Sequence, residues 1–416
     1  MKPRPRLRAH VDEEGRVIFP PEVAARYGFT PGAQICVDDG ANNLRLRQPV
    51  KHLAKVYVEA TSRCNLDCRT CIRHGWDEPL GQMDAATFGR AIDGLRAFSH
   101  PPTVFFGGFG EPLAHPNIVE MVAQAKALGG PVELITNGTL LTPEMSRQLI
   151  AAGLDVLWVS LDGATPESYA DVRLGAALPE VLANLKVFRD GRGPDRYRAV
   201  PRIGIVFVLM KRNVADLPAV LRLGERMGAT RFVVSNVLPY TKEMFQETLY
   251  PYVLSNLAYS PSPYHVELPK MDVGPMTRQS LYEVMRGGLS ISLAGGDLTE
   301  ATNRCPFIEH GATAIAWDGS LSPCLPLLHA HTSFPDNQER LSRRYVVGNV
   351  TERDLRDLWM APEYVAFRER VQDFDFSPCT ECGGCHLSET NDEDCFGNRF
   401  PTCGGCLWAQ GVIQCP

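Results

Sequence analysis

The sequence predicts an α/β fold: a partial (β/α)6 barrel, with a small β-rich domain ahead of it and a cysteine-rich domain behind. Three observations lead there. Between residues 56 and 236, six short apolar runs alternate with amphipathic helical stretches. Residues 1–50 read instead as short strands, one short helix and turns. Nine of the thirteen cysteines crowd between Cys305 and Cys415. The expected division is 1–50, 51–240 for the barrel, 241–300 for an insertion or connector, and 301–416 for the cysteine-rich region.

The totals bound the classes. A chain of 416 residues supports two or three domains, and 44% hydrophobic with 22% charged residues is ordinary for a globular protein. A net charge of −6 argues against a dedicated nucleic-acid or anionic-membrane surface. No apolar run is long enough to span a bilayer. The basic start Met1-Lys2-Pro3-Arg4-Pro5-Arg6 is not followed by an apolar signal segment, so a cytoplasmic chain is expected. In that setting C-x2-C pairs point to metal before disulfides.

In the first domain, Val11–Pro20 reads as strand, turn at Gly15, strand and stop. A short helix from Pro21 to Arg26, the turn Thr30-Pro31-Gly32-Ala33 and a strand through Ile35-Cys36-Val37 follow. The pattern D-x-x-G-R with three apolar residues and proline, then x-P-G, resembles the SpoVT/AbrB-like swapped-hairpin domain. That resemblance implies a dimerising module, often one that binds DNA. Eight Lys/Arg against six Asp/Glu within residues 1–50 favour docking or homodimerisation over DNA. Cys36, in an apolar strand, is expected in the core.

The barrel strands are expected at Val56–Ala60, Thr103–Phe106, Val132–Thr136, Val156–Leu161, Arg202–Val208 and Phe232–Asn236. Asp84 should cap a helix that puts Phe88, Ile92 and Leu95 on one face. Thr142, followed by Pro143, should cap another, and a third should run from beyond Asn213 to Gly228. In a TIM-type arrangement the functional site lies at the carboxyl ends of the strands.

Polar residues and glycines gather at those ends. Cys64, Cys68 and Cys71 follow the first strand as C-x3-C-x2-C. Three thiolates can hold a [4Fe–4S] cluster and leave its fourth iron open to a small molecule. A zinc site is the rival reading, with His74 as the one nearby fourth ligand. Gly107-Gly108-Phe109-Gly110-Glu111-Pro112 follows the second strand, where glycines let backbone approach a ligand. Asn137 ends the third strand, Ser160 and Asp162 the fourth, Asn236 the sixth, and Arg173 lies beyond the fourth. Singly each reads as a cap or turn residue; together they read as a pocket rim.

These three motifs, C-x3-C-x2-C, G-G-x-G-E-P and S-x-D-G, resemble the radical S-adenosylmethionine superfamily over residues 55–240. The resemblance implies that Cys64, Cys68 and Cys71 ligate a catalytic cluster whose open iron binds S-adenosyl-L-methionine. One electron then cleaves the sulfonium, giving methionine and a 5′-deoxyadenosyl radical that abstracts a substrate hydrogen. By position, Gly107, Gly108, Gly110 and Glu111 would line the methionine amino group through the backbone. Ser160 and Arg173 would hold carboxylate or ribose, with Asp162 on the same rim and Asn137 and Asn236 more peripheral. Thr70 departs from the family, which commonly has an aromatic residue there. No side-chain acid or base is assigned, because the radical performs the abstraction.

Tyr250, Tyr252, Tyr259 and Tyr264 mark 241–300 as a segment that either covers the barrel mouth or packs on its own aromatics. Beyond it, Cys305 and Cys324 are spaced C-x13-G-x4-C about an Asp318-Gly319 turn, which predicts a hairpin bringing both thiols together. Cys379, Cys382, Cys385, Cys395, Cys403, Cys406 and Cys415 follow, with two Cys-Gly-Gly-Cys units. Nine thiols suffice for two further four-cysteine clusters with one left over; zinc ribbons are the alternative.

The region resembles the SPASM extension of radical maturases, through the C-x13-G-x4-C segment and the Gly348–Trp359 stretch. Its later spacing departs from that pattern, so the thiols are not assigned to individual clusters. The ending from Asp394 to Gly411 resembles maturases that accompany tungsten-containing aldehyde:ferredoxin oxidoreductases. The implied target is such an oxidoreductase or its cofactor precursor, with a ferredoxin or flavodoxin-type electron donor. A peptide crosslinking enzyme and an iron–sulfur DNA-binding redox sensor are the alternatives; the sensor leaves the pocket residues of the second and fourth strands unexplained.

Overall fold

The computed structural model describes residues 8–39, 44–193, 199–251, 265–269, 271–286, 290–293, 296–297, 303–335, 337–380 and 385–416. Six strands form the parallel half-barrel: β1 (Lys55–Val58), β2 (Thr103–Phe106), β3 (Val132–Thr136), β4 (Val156–Ser160), β5 (Arg202–Leu209) and β6 (Ala229–Asn236). They lie side by side in chain order, each parallel to the next. All five residues of β4 are buried, the mark of a strand covered on both faces.

Helices α1 (Ala85–Leu95), α2 (Ile118–Lys126), α3 (Pro143–Ala151), α4 (Pro166–Val172), α5 (Leu178–Gly191) and α6 (Leu217–Arg226) alternate with these strands. Their starts follow from capping chemistry. Asp84 accepts the Thr87 N–H at 2.7 Å, and Thr142 accepts that of Met145 at 3.1 Å, with Pro143 at the first helical position. The expected face of α1, Phe88, Ile92 and Leu95, is buried against the sheet. Truncating Phe88 to Ala would cost about 3–5 kcal/mol.

The sheet does not stop at β1. Strands β7 (Ala312–Ile315), β8 (Ser320–Ser322) and β9 (Gly348–Asn349) extend it to nine, in the order β6-β5-β4-β3-β2-β1-β7-β8-β9. β7 and β8 are the hairpin expected between Cys305 and Cys324, turning at Gly319 with φ 84°. Its parallel pairing with β1, Ala312 opposite Lys55, was not legible because ladder partners distant in sequence leave no local signal. The helices α7 (Leu355–Trp359) and α8 (Pro362–Asp373) follow. Arg368 of α8 lies between the rings of Trp359 and Tyr364, 3.7 and 4.1 Å from their centroids. Its Nε donates to Val50 O at 2.8 Å, tying this region to the segment entering the barrel.

At the amino end, His10–Val11 pairs with Val17–Ile18 and Val37–Asp39 with Leu44–Leu46. The turn positions are as expected, with Gly15 at φ 78° and Gly32 at φ 81°. The strand expected through Ile35-Cys36-Val37 starts two residues later, at Val37. Ile35 and Cys36 precede it, and Cys36 is half-buried rather than a core residue, because the two-stranded ribbon it leads into buries none of its own residues.

Of the 241–300 segment, Tyr252, Tyr259 and Tyr264 lie outside the described residues. Tyr250 is buried and donates to Val237 O at 2.8 Å, a packing role. No helix of the described residues is long and apolar enough to cross a membrane.

Candidate metal centres

Cys64, Cys68 and Cys71 line one cavity of about 230 Å³ at the carboxyl ends of the barrel strands. The loop carrying them is stitched down at its middle: Asp67 and Arg69 donate backbone N–H to Leu174 O and Val172 O at 3.3 and 3.1 Å. Cys71 N–H closes a turn onto Cys68 O at 3.0 Å. The sulfurs face donors. Leu66 N–H and Asn137 Nδ2 approach Cys64 Sγ at 3.4 and 3.9 Å, Arg73 Nε lies 3.2 Å from Cys71 Sγ, and Arg173 Nη1 lies 3.8 Å from Cys68 Sγ. Burial pushes the Cys64 and Cys68 thiols up from their ordinary range. Without iron they would stay protonated; donors aimed at sulfur suit thiolates bound to a cluster. His74 turns its ring nitrogen to Cys68 O at 3.0 Å instead of joining the thiols.

The glycine turn after β2 reaches the same cavity through Gly108, Phe109, Gly110 and Glu111. A Cβ on Gly110 would collide with the carbonyls of Thr61 and Arg63, and one on Gly108 would fall 2.7 Å from Glu59 Cγ. Glycine is therefore required where the turn crosses the exit of β1. Gly107 sits one step back, its N–H on Val58 O at 3.1 Å, outside the cavity wall. The Glu111 carboxylate is buried and fully engaged, accepting from Leu113 N–H, Thr136 Oγ1 and Asn137 N–H at 3.0, 2.8 and 2.8 Å. It joins the loops after β2 and β3, a side-chain role beyond the backbone one expected.

Ser160 and Arg173 line the cavity as expected. Asp162, fully buried, holds Arg173 Nε at 2.6 Å and the Val208 N–H at 2.7 Å. Burial opposes the Arg173 charge, but the Asp162 carboxylate outweighs it and keeps it protonated. Asn137 is central rather than peripheral, linking Asn65 Oδ1 at 3.0 Å to the cavity wall. Asn236 is not on this wall: its Nδ2 donates to Val412 O at 3.0 Å, so it holds the carboxyl-terminal segment.

Two features escaped sequence reasoning. Tyr240, four residues beyond β6, lines the cavity and meets the His331 ring at 5.7 Å; its position past a strand end was the available signal. Glu59, at the exit of β1, accepts Phe109 N–H at 3.1 Å and pairs with His329 at 2.8 Å, while His329 also pairs with Glu78 at 2.6 Å. Trp76 packs against that imidazole at a tilt of 60°, ring centroids 4.3 Å apart. A single buried glutamate inside a strand-end run leaves no pattern to read.

In the cysteine-rich region, Cys305, Cys324, Cys403 and Cys406 line a second cavity. The hairpin brings the first two thiols in, and the tight Cys403-Gly404-Gly405-Cys406 turn brings the others. Burial pushes all four thiols up, Cys305 to about 12. Cys379 is half-buried, with Ser377 Oγ at 3.1 Å; Cys385 and Cys395 are exposed, and Cys382 lies outside the described residues. Cys415 stands apart from the four-thiol cavity, its Sγ accepting from Trp408 Nε1 at 3.2 Å.

A three-thiol cavity under barrel strand ends, with a second thiol-lined cavity beside the hairpin that extends the same sheet, is the arrangement an iron–sulfur enzyme needs. Profile comparison agrees: the radical SAM superfamily matches residues 58–223, and the SPASM iron–sulfur cluster-binding domain matches 305–386. The tungsten-containing aldehyde ferredoxin oxidoreductase cofactor-modifying protein of Pyrococcus furiosus is 33% identical over 368 residues, covering 87% of this chain and 96% of that one. The PqqA peptide cyclase of Gluconobacter oxydans is 26% identical, covering 83% and 89%. Among solved structures, Streptococcus suis SuiB bound to precursor peptide SuiA superposes with TM-score 0.52 at 16% identity, covering 81% of this chain and 72% of that one. Native anSMEcpe with bound AdoMet also gives 0.52, at 17% identity and 86% and 96% coverage. The chain belongs to the radical SAM superfamily and carries a SPASM domain. It is a SPASM-type maturase that uses S-adenosyl-L-methionine and a [4Fe–4S] cluster, with auxiliary iron–sulfur in the SPASM domain.

Proposed function

We propose that this enzyme modifies a tungsten-containing oxidoreductase or its cofactor. The observation that carries the reading is 33% identity over 368 residues with the Pyrococcus furiosus cofactor-modifying protein, covering 87% of this chain and 96% of that one. Cys64, Cys68 and Cys71 hold the catalytic cluster, which supplies the electron for reductive cleavage of S-adenosyl-L-methionine. Arg73, Asn137 and Arg173 donate toward the thiolates, and Asp162 fixes Arg173 in place. Gly108 and Gly110 let bare backbone reach the cofactor's methionine end, and Glu111 holds that turn to β3. Ser160 and Tyr240 close the remaining wall and keep water from the reacting atoms.

Cys305, Cys324, Cys403 and Cys406 form one auxiliary cluster site, and Cys379, Cys382, Cys385 and Cys395 supply the other. Cys415 is the thiol left over. Residues 1–50 serve as a docking or dimerising module, 51–240 as the catalytic barrel and 301–416 as the auxiliary domain. A ferredoxin or flavodoxin-type protein delivers the electron. A second reading, action on a peptide, is favoured by the relation to PqqA peptide cyclase over 83% of this chain and 89% of that one.

Anaerobic reconstitution tests both layers. About twelve irons per chain and 5′-deoxyadenosine after reduction are expected; about four irons would remove the auxiliary clusters. Incubation with an unmodified tungsten oxidoreductase should change the mass of that protein or its extracted cofactor. A mass change confined to a short peptide would replace the first reading with the second.

A further inference from the structure

The cysteine-rich region contains a buried cation that no step above uses. Arg340, in the short strand Arg340–Ser342, is 8% exposed. Its guanidinium lines the cavity of Cys305, Cys324, Cys403 and Cys406. It packs so closely on Gly405 that a Cβ there would collide with it. The adjoining Gly404 is needed because the Ser377 carbonyl fills the space of its Cβ, which places Cys379, two residues on, against the same turn. Arg340 Nη1 donates to Ser388 O at 2.6 Å, in the segment that follows Cys385. The guanidinium therefore lies where the two proposed ligand sets adjoin, and its charge acts on Cys379 as well as Cys403 and Cys406.

A buried guanidinium needs a counter-charge, and among the described residues no carboxylate forms an ion pair with it. The other deeply buried arginine of this region, Arg368, is held by two carbonyls and two aromatic faces. Arg340 has one carbonyl and, across the cavity it lines, the thiols of Cys305, Cys324, Cys403 and Cys406. Clusters ligated by four thiolates are net anionic and become more so on reduction, so a fixed cation beside them favours the reduced form.

Resting on the auxiliary-cluster reading, we infer that Arg340 is a counter-ion shared by both auxiliary clusters, a positioned charge that raises the reduction potential of each. Arginine suits the task because it stays protonated in a dry site.

Redox titration of the reconstituted full-length enzyme, followed by electron paramagnetic resonance, tests this. Arg340→Gln should move the midpoints of both auxiliary clusters to more negative potential, Arg340→Lys should move them less, and the Cys64–Cys71 cluster should not shift. Unmoved auxiliary midpoints, a shift in only one, or equal shifts in the Lys and Gln variants would overturn the inference. If Arg340→Gln assembles only about four irons, about twelve in Arg340→Lys supports the charge, and loss in both overturns it. Wild-type protein that itself assembles about four irons would instead sink the auxiliary-cluster reading, and this inference with it.

Discussion

The two thiol sites reach similar ends from opposite starting points. Cys64, Cys68 and Cys71 come from eight consecutive residues, and the barrel supplies only the walls around them. Cys305, Cys324, Cys403 and Cys406 come from segments up to a hundred residues apart, and folding itself must assemble the set. A local loop can be poised by a few anchors; a dispersed set depends on the packing between segments. The difference teaches where each site is vulnerable: the first at its backbone crossings, the second at the contacts that hold the tail.

The largest expected effect separates them outright. Replacing Cys64, Cys68 and Cys71 together by Ala should abolish 5′-deoxyadenosine formation and remove about four irons, leaving the tail's iron in place. Replacing Cys305 and Cys324 should remove iron from the tail while reductive cleavage of S-adenosylmethionine persists. Loss of all iron in either variant would show that the two sites assemble as one unit.

One identical substitution in each region sharpens the contrast. Gly110→Ala drives a Cβ into the Thr61 and Arg63 carbonyls, so the turn must leave its place over β1. Cleavage should fall by about a hundredfold through misplacement of the cofactor, with iron content unchanged. Gly404→Ala drives a Cβ into the Ser377 carbonyl and should loosen the tail's iron with little effect on cleavage. Iron analysis and deoxyadenosine assays on both variants read the two outcomes; the same phenotype from both would dissolve the distinction.

His329 couples the regions, standing beyond β8 and pairing with Glu59 at the exit of β1 and with Glu78. Burial pulls its pKa down, but the two carboxylates push harder and raise it to about 9 from 6.5. A raised pKa means stability that is complete below about pH 6.5 and is lost as pH climbs through about 9, worth about 2–4 kcal/mol. Glu59 also accepts Phe109 N–H, so alkali should weaken S-adenosylmethionine binding before it releases tail iron. Denaturant unfolding at pH 6.5 and 9.5 should show this dependence in the wild type, and it should be flattened in His329→Gln.

Legibility followed the same divide. The half-barrel, the caps at Asp84 and Thr142 and the three-thiol loop were all readable because each signal is local: alternation, a capping side chain, a spacing. The hairpin of Cys305 and Cys324 was readable for the same reason, through Asp318-Gly319. What joins regions was not. The pairing of β7 with β1, the Glu59–His329 contact and the packing of Arg340 on Gly405 link residues far apart in the chain, where no period or turn records the partner.

Asn236 gives the smallest effect and the finest test. Its place at the end of β6 suggested the rim of the radical site, yet its amide holds Val412 O, and the neighbouring Ser235 Oγ accepts Gln414 N–H at 2.9 Å. The tail's last residues thus run along β6, and Lys55 Nζ and Tyr57 OH donate to Pro416 O at 2.6 and 2.9 Å. Asn236→Ala should cost about 1 kcal/mol, the net worth of one hydrogen bond, and leave the Michaelis constant for S-adenosylmethionine unchanged. Amide exchange should quicken in residues 412–415 while the 107–111 turn keeps its protection. A raised Michaelis constant with unaltered tail exchange would return Asn236 to the rim of the radical site.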